Sequence, residues 1–184
     1  QGWRIEIKAY PELTEKGSMR KETLVGHGLQ PEYWDGTPHG GYYTQDDMRE
    51  IITYAAQRNI EIVPEIDLPG HSLCLATIHP EVLCRYDHNT AAALGYDVRS
   101  VICPSNERNY KLLDDILREV SSLFPSEYIH VGGDEVDFSQ WKRCPDCRAF
   151  MQRTNMSSTE ELQAYFMLRL SEILEKYGKR MAIW

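Results

Sequence analysis

The sequence predicts an α/β fold of parallel strands joined by helices. Two observations carry this: a helical stretch runs three times directly into a short apolar strand, and unusual acidic residues gather where strands end. The first element is Arg4-Ile5-Glu6-Ile7, an alternating segment read as an opening strand. Gln45 to Arg58 then places Met48, Ile51, Ile52, Ala55 and Ala56 at helical spacing and leads into Ile60-Glu61-Ile62-Val63, read as a strand. The second round runs from Ser105 to Phe124, is stopped by Pro125, and leads into Tyr128-Ile129-His130-Val131. The third runs from Thr159 to Tyr177, with Gly178 where a C-terminal cap belongs, and ends in Arg180-Met181-Ala182-Ile183-Trp184.

Such a pattern fits a barrel or an open sheet, and periodicity does not choose between them. In both, the C-terminal ends of strands carry the site. Glu65 and Asp67 follow Val63, and Asp134 and Glu135 follow Val131. Three helix-strand units plus the opening segment supply about half of an eight-fold barrel, for which roughly 250 residues are typical. A barrel cut in this way leaves open strand edges, so self-association through them is expected.

Nothing in the 184 residues marks a linker or low-complexity stretch, and residues 1–184 are read as a single unit. With 42% hydrophobic and 26% charged residues the composition is that of an ordinary globular domain. Twenty Lys and Arg against 28 Asp and Glu give a net charge of -8 with no basic block, which argues against nucleic acid or anionic lipid as partners. No apolar run approaches the roughly 18 to 20 residues of a membrane span. The chain opens Gln1-Gly2-Trp3 without Met and reads as an internal piece of something longer.

The sharpest motif is His130-Val131-Gly132-Gly133-Asp134-Glu135. Adjacent glycines at a strand end let another group approach the backbone closely. Two adjacent carboxylates repel unless one is hydrogen-bonded or protonated, the division of labour that an acid catalyst beside an anionic stabiliser requires. The plain alternative is that Asp134 caps the next helix and Glu135 is solvated. A second acidic strand end, Pro64-Glu65-Ile66-Asp67-Leu68-Pro69-Gly70-His71, weighs against it, because its Pro-Gly turn brings a histidine over the same face.

These motifs, with Gln1-Gly2-Trp3-Arg4-Ile5-Glu6-Ile7 and Gly40-Gly41-Tyr42-Tyr43-Thr44, resemble the family 20 glycoside hydrolases, the β-N-acetylhexosaminidases, in the family's order and over most of the chain. The resemblance implies a partial (β/α)8 TIM barrel, about strands 3 to 5 with the intervening helices. It implies hydrolysis of terminal β-linked N-acetylhexosamine from glycans or chitooligosaccharides, with retention and with the substrate's 2-acetamido group as nucleophile, an exception to the usual two-carboxylate scheme. On this reading Glu135 is the general acid, Asp134 orients and stabilises the acetamido group, and His71 tunes the acid. Trp184 walls the sugar pocket, and Glu65, Asp67 and His130 brace the strand ends, with direct sugar contact by Glu65 or Asp67 left open.

The family's aspartate partner of His71 would precede Gln1, and further pocket residues would lie upstream and downstream, so weak or no turnover is expected of the chain alone. No metal or organic cofactor is expected, and an exported parent is. Two rivals stand beside this reading: a barrel hydrolase with a divalent metal on Asp134 and Glu135, and a sugar-binding relic without catalysis. Cys144-Pro145-Asp146-Cys147 has the spacing of half a zinc site or a redox pair, but lacks a second pair in sequence. A local disulfide or two free thiols are the plainer readings, and Cys84 and Cys103 are candidates to pair in an exported enzyme.

Overall fold

The computed structural model describes residues 2–27, 30–84 and 100–184. Gln1 of the opening motif and the polar loop between Cys84 and Ser100 lie outside the described residues. The centre of the fold is a three-stranded parallel sheet of consecutive strands. Preceding it are a short helix α1 (Glu12–Glu15), two small antiparallel pairs formed by β1 (Met19–Arg20) with β4 (His39–Gly40) and β2 (Leu24–His27) with β3 (Gln30–Trp34), and the helix α2 (Gln45–Ala56).

The central strands are β5 (Glu65–Leu68), β6 (Tyr128–Gly132) and β7 (Arg180–Ala182). Between β5 and β6 come α3 (Leu73–Ile78), a 3-10 turn at Pro80–Val82 and the long helix α4 (Glu107–Leu123). Between β6 and β7 come α5 (Ser139–Arg143), α6 (Pro145–Arg153) and α7 (Thr159–Lys176). The three expected long helices are thus present. Their ends obey local chemistry: Thr44 and Asp47 form a reciprocal capping box on α2, Asn106 caps α4 and Ser158 caps α7. Gly178, at φ +67, closes α7 with Gly178 N–H donating to Glu175 O (3.0 Å) and Lys179 N–H to Leu174 O (3.0 Å).

Two expected strands differ. Ile60–Val63 has the better β-branched composition, yet pairing with β6 starts only where His130 N–H donates to Pro64 O (2.9 Å), and the strand occupies Glu65–Leu68. Strand identity follows the partner's register rather than local propensity. Glu65 and Asp67 therefore lie within the strand and not after it. Arg4–Ile7 makes a single parallel bridge, Ile5 with Tyr43, among the described residues.

Alternation along the sheet separates its two faces. Ile66, Leu68, Ile129 and Val131 are buried and belong to one hydrophobic core with Leu113, Ile116, Leu117, Phe166, Leu170 and Leu174 of α4 and α7. Each such side chain contributes about 1.5–3 kcal/mol of burial. The other face carries Glu65, Asp67 and His130. The Glu119 carboxylate of α4 ties the opening loop to this frame, accepting from Lys8 N–H (2.7 Å), Ala9 N–H (2.8 Å) and Gln45 Nε2 (2.8 Å). A second, smaller core gathers Trp141, Phe150 and Leu162 with four cysteines. No helix among the described residues is long and apolar enough to cross a membrane.

Candidate active site

The site is assembled where β5 and β6 end. Glu65 stands opposite His130 and Leu68 opposite Gly132, so three steps along β5 match two along β6. The extra residue breaks the ladder and turns Asp67 toward the end of β6. There the glycine requirement is steric: Gly132 has φ +72, and a Cβ on it would overlap the Asp67 carboxylate. Gly133, at φ +100, continues the turn, and its carbonyl accepts from Gln163 Nε2 of α7 at 2.8 Å. Gln163 could not be picked out from sequence, since a glutamine on a helix thirty positions downstream carries no local signal.

Past this turn Asp134 and Glu135 leave the sheet. Glu135 adopts φ +48, and so does His71 beyond Pro69-Gly70 on the neighbouring strand end. Left-handed backbone at non-glycine residues costs on the order of 1–2 kcal/mol each. Here it brings the two loops face to face. His71 Nε2 lies 3.2 Å from Glu135 Oε2 and 3.6 Å from Asp134 Oδ2. The histidine side chain is 9% exposed, against 36% for Asp134 and 62% for Glu135, so a buried imidazole supports two more open carboxylates.

Asp67 completes the group, placing one ligand atom each of Asp67, His71 and Asp134 within 4.8 Å of one another. Burial, followed by the negative charge of Asp134, raises the Asp67 pKa from 3.8 to about 6, against the lowering effect of His71. Oδ1 of Asp67, which lies against Gly132, and Oδ1 of Asp134 are both buried without a hydrogen-bond partner among the described residues.

The shift in Asp67 has a consequence for stability. Its folded form holds a proton more tightly than the unfolded chain, so between about pH 4 and 6 the folded state binds more protons and stability falls as pH rises. Two units would be about 3 kcal/mol for a fully buried group, and the half-exposed setting reduces this to on the order of 1 kcal/mol. Thermal melts across that window should show a decline of about 2–4 °C that Asp67→Asn flattens. An unchanged slope in the variant would remove Asp67 as its source.

On the same face of the sheet as Asp67, Glu65 Oε1 receives Trp184 Nε1–H at 3.1 Å and lies 3.2 Å from His130 Nδ1. The Trp184 ring packs 4.7 Å from the His130 ring and is 74% exposed, so it is a braced aromatic plate and not a core residue. Glu65 and His130 thus both touch Trp184. A cavity of about 470 Å³ beside the site is bordered by Asp67 and His71 together with Trp3, Ile5, Leu68 and Leu75. Asp134 and Glu135 stand outside it. Trp34, Tyr42 and Tyr43 are exposed, and Tyr43 serves the bridge to Ile5.

Known proteins similar to this chain fall in one family. The model of the glycosyl hydrolase family 20 catalytic domain matches residues 1–184. The chain belongs to that family. It is 41% identical over 186 residues to a β-hexosaminidase of Vibrio furnissii and 36% identical over 184 residues to one of Porphyromonas gingivalis, in each case along its whole length. It covers 30% and 22% of those two proteins. Among solved structures of the family, a β-N-acetylhexosaminidase superposes with a TM-score of 0.87 at 33% identity, all of this chain on 38% of that one. A family 20 exo β-N-acetylglucosaminidase from Vibrio harveyi, in complex with N-acetylglucosamine, gives 0.82 at 35% identity, all of this chain on 28% of it. The α/β fold is therefore that of the family 20 structures.

Proposed function

We propose that the protein carrying this chain removes terminal, non-reducing β-linked N-acetylglucosamine or N-acetylgalactosamine from glycans or chitooligosaccharides, with retention of configuration. The contact that carries this reading is His71 Nε2 between Glu135 and Asp134, at 3.2 and 3.6 Å. Together with the family match it supports one acid, one stabilising anion and one positioning base on adjacent strand ends.

In this mechanism the acetamido oxygen of the substrate attacks the anomeric carbon while the bond to the leaving oxygen breaks, and that oxygen takes the proton of Glu135. Asp134 accepts from the acetamido N–H and balances the positive charge of the cyclic intermediate, a role suited to a carboxylate whose side chain is 36% exposed beside Glu135. Water then adds to the anomeric carbon as its bond to the acetamido oxygen breaks, giving its proton to Glu135. Two inversions give net retention. His71 holds Glu135 in place, and Trp184, braced by Glu65 and His130, supplies an apolar wall for the N-acetyl methyl group.

The 184 residues correspond in this reading to roughly half of an eight-stranded barrel, about strands 3 to 5. Edges at β5 and β7, beside exposed Val63, Ile183 and Trp184, suit them to pairing with further chain or with another copy. Weak or no turnover is expected of the 184 residues alone. The test is hydrolysis of chromogenic N-acetyl-β-glucosaminide and N-acetyl-β-galactosaminide by the full-length protein. Turnover of either supports the reading; a folded protein inert on both but able to bind the sugar would replace it with a binding role.

The proximity of Asp67, His71 and Asp134 favours a second reading, a divalent metal at the strand ends. Activity abolished by chelation and restored by Mg²⁺ would support it over acid catalysis.

A further inference from the structure

We propose that Cys84, Cys103, Cys144 and Cys147 bind one zinc ion in a structural site that clamps the loop behind the catalytic carboxylates. In sequence Cys144 and Cys147 are half a site without a partner pair. The fold supplies the other half. Leu83 and Ile102 form an antiparallel bridge and Cys103 N–H donates to Val82 O at 2.8 Å, which brings Cys84 and Cys103 together across the segment that separates them. Buried Asn109 fastens the same junction, donating to Val82 O (2.9 Å) and Cys103 O (2.8 Å).

The four sulfurs lie within 4.8 Å of one another, and the residues are 2%, 4%, 1% and 0% exposed. Cys147 Sγ is 3.8 Å from Cys84 Sγ and 3.6 Å from Cys103 Sγ. A tetrahedral zinc with Zn–S of about 2.3 Å sets its sulfurs about 3.8 Å apart. A disulfide needs about 2.05 Å. Nor do the thiols divide into couples, since Cys147 is nearly equidistant from two of them. Cys144 and Cys147 stand at the start of α6, with Pro145 between them at its first turn. The Ser105 hydroxyl lies 3.3 Å from Cys103 Sγ and 3.5 Å from Cys147 Sγ. Such donors offset the negative charge of a four-thiolate zinc, which forms as each thiol gives up its proton.

The site would staple three separate segments: the end of the 3-10 turn, the approach to α4 and the α5–α6 junction. Val136 and Phe138, one and three positions after Glu135, pack on the smaller core to which the four cysteines belong. The clamp thus supports the strained turn from behind, with no part in the chemistry.

The experiment is elemental analysis of the full-length protein, purified without a metal-affinity tag, with thiol titration before and after chelation and intact mass. One zinc per chain, four thiols that become reactive only once the metal is withdrawn, and loss of the zinc in Cys144→Ser/Cys147→Ser would establish the site. If the double variant does not fold, Co²⁺ exchanged into the native protein replaces it as a test, and thiolate-to-cobalt charge transfer with intense visible bands of tetrahedral Co²⁺ is expected. Zinc-free protein that takes up neither metal, a mass lower by four hydrogens from two disulfides, or zinc retained in a folded double variant would each overturn the proposal.

Discussion

Glu135→Gln in the full-length protein is expected to lower kcat on a chromogenic N-acetylhexosaminide by about 10²–10⁴, with KM little changed. The glutamine keeps the shape of the side chain and can still meet His71, now 3.2 Å from Glu135 Oε2, so binding and fold are preserved. It cannot give a proton to the leaving oxygen, and general acid catalysis typically supplies that factor. A substrate with a very acidic leaving group needs little protonation and should lose least in its first step, so the deficit should grow as the leaving group becomes more basic. Equal losses on all leaving groups would assign Glu135 to positioning. A rise in KM alone would make it a binding residue.

The site was legible in sequence wherever its chemistry lay in contiguous residues. His130 to Glu135 and Pro64 to His71 each show glycine, acid and histidine within a few positions, and the structure brings both motifs to one sheet end, with His71 against the acid pair. What stayed hidden depends on register and tertiary approach. The extra residue between Glu65 and Leu68 aims Asp67 beneath Gly132, which explains the glycine, and burial there beside Asp134 raises the Asp67 pKa. The helices were legible because amphipathic spacing and caps are local, whereas the strand at Glu65–Leu68 was displaced from the more β-prone Ile60–Val63 by where β6 offers its backbone. The four-cysteine cluster was half visible, because one pair is adjacent in sequence and the other is joined by a single antiparallel bridge.

Trp141→Ala should be the most destabilising single substitution outside the main core, at about 3–5 kcal/mol. Trp141 is fully buried, packs against Phe138 at 5.5 Å between ring centroids, and donates its indole N–H to Ile102 O at 3.0 Å. Its removal leaves a large void in a small core and an unpaired carbonyl beside Cys103. Trp141→Phe separates the two effects, keeping most of the ring while abandoning the hydrogen bond, and should cost about 1–3 kcal/mol. Denaturant melts at constant m-value measure both, and for a domain of this size the alanine variant should melt roughly 6–20 °C lower. A loss below about 1 kcal/mol for Trp141→Ala would mean that the smaller core contributes little. The loop after Glu135 would then be held chiefly by its glycine turn, Gln163 and His71 among the described residues. If the loss is as large as expected, Phe138 loses its support, and activity in the alanine variant should fall before global unfolding, because the acid pair sits only a few residues from the side chain that Trp141 holds.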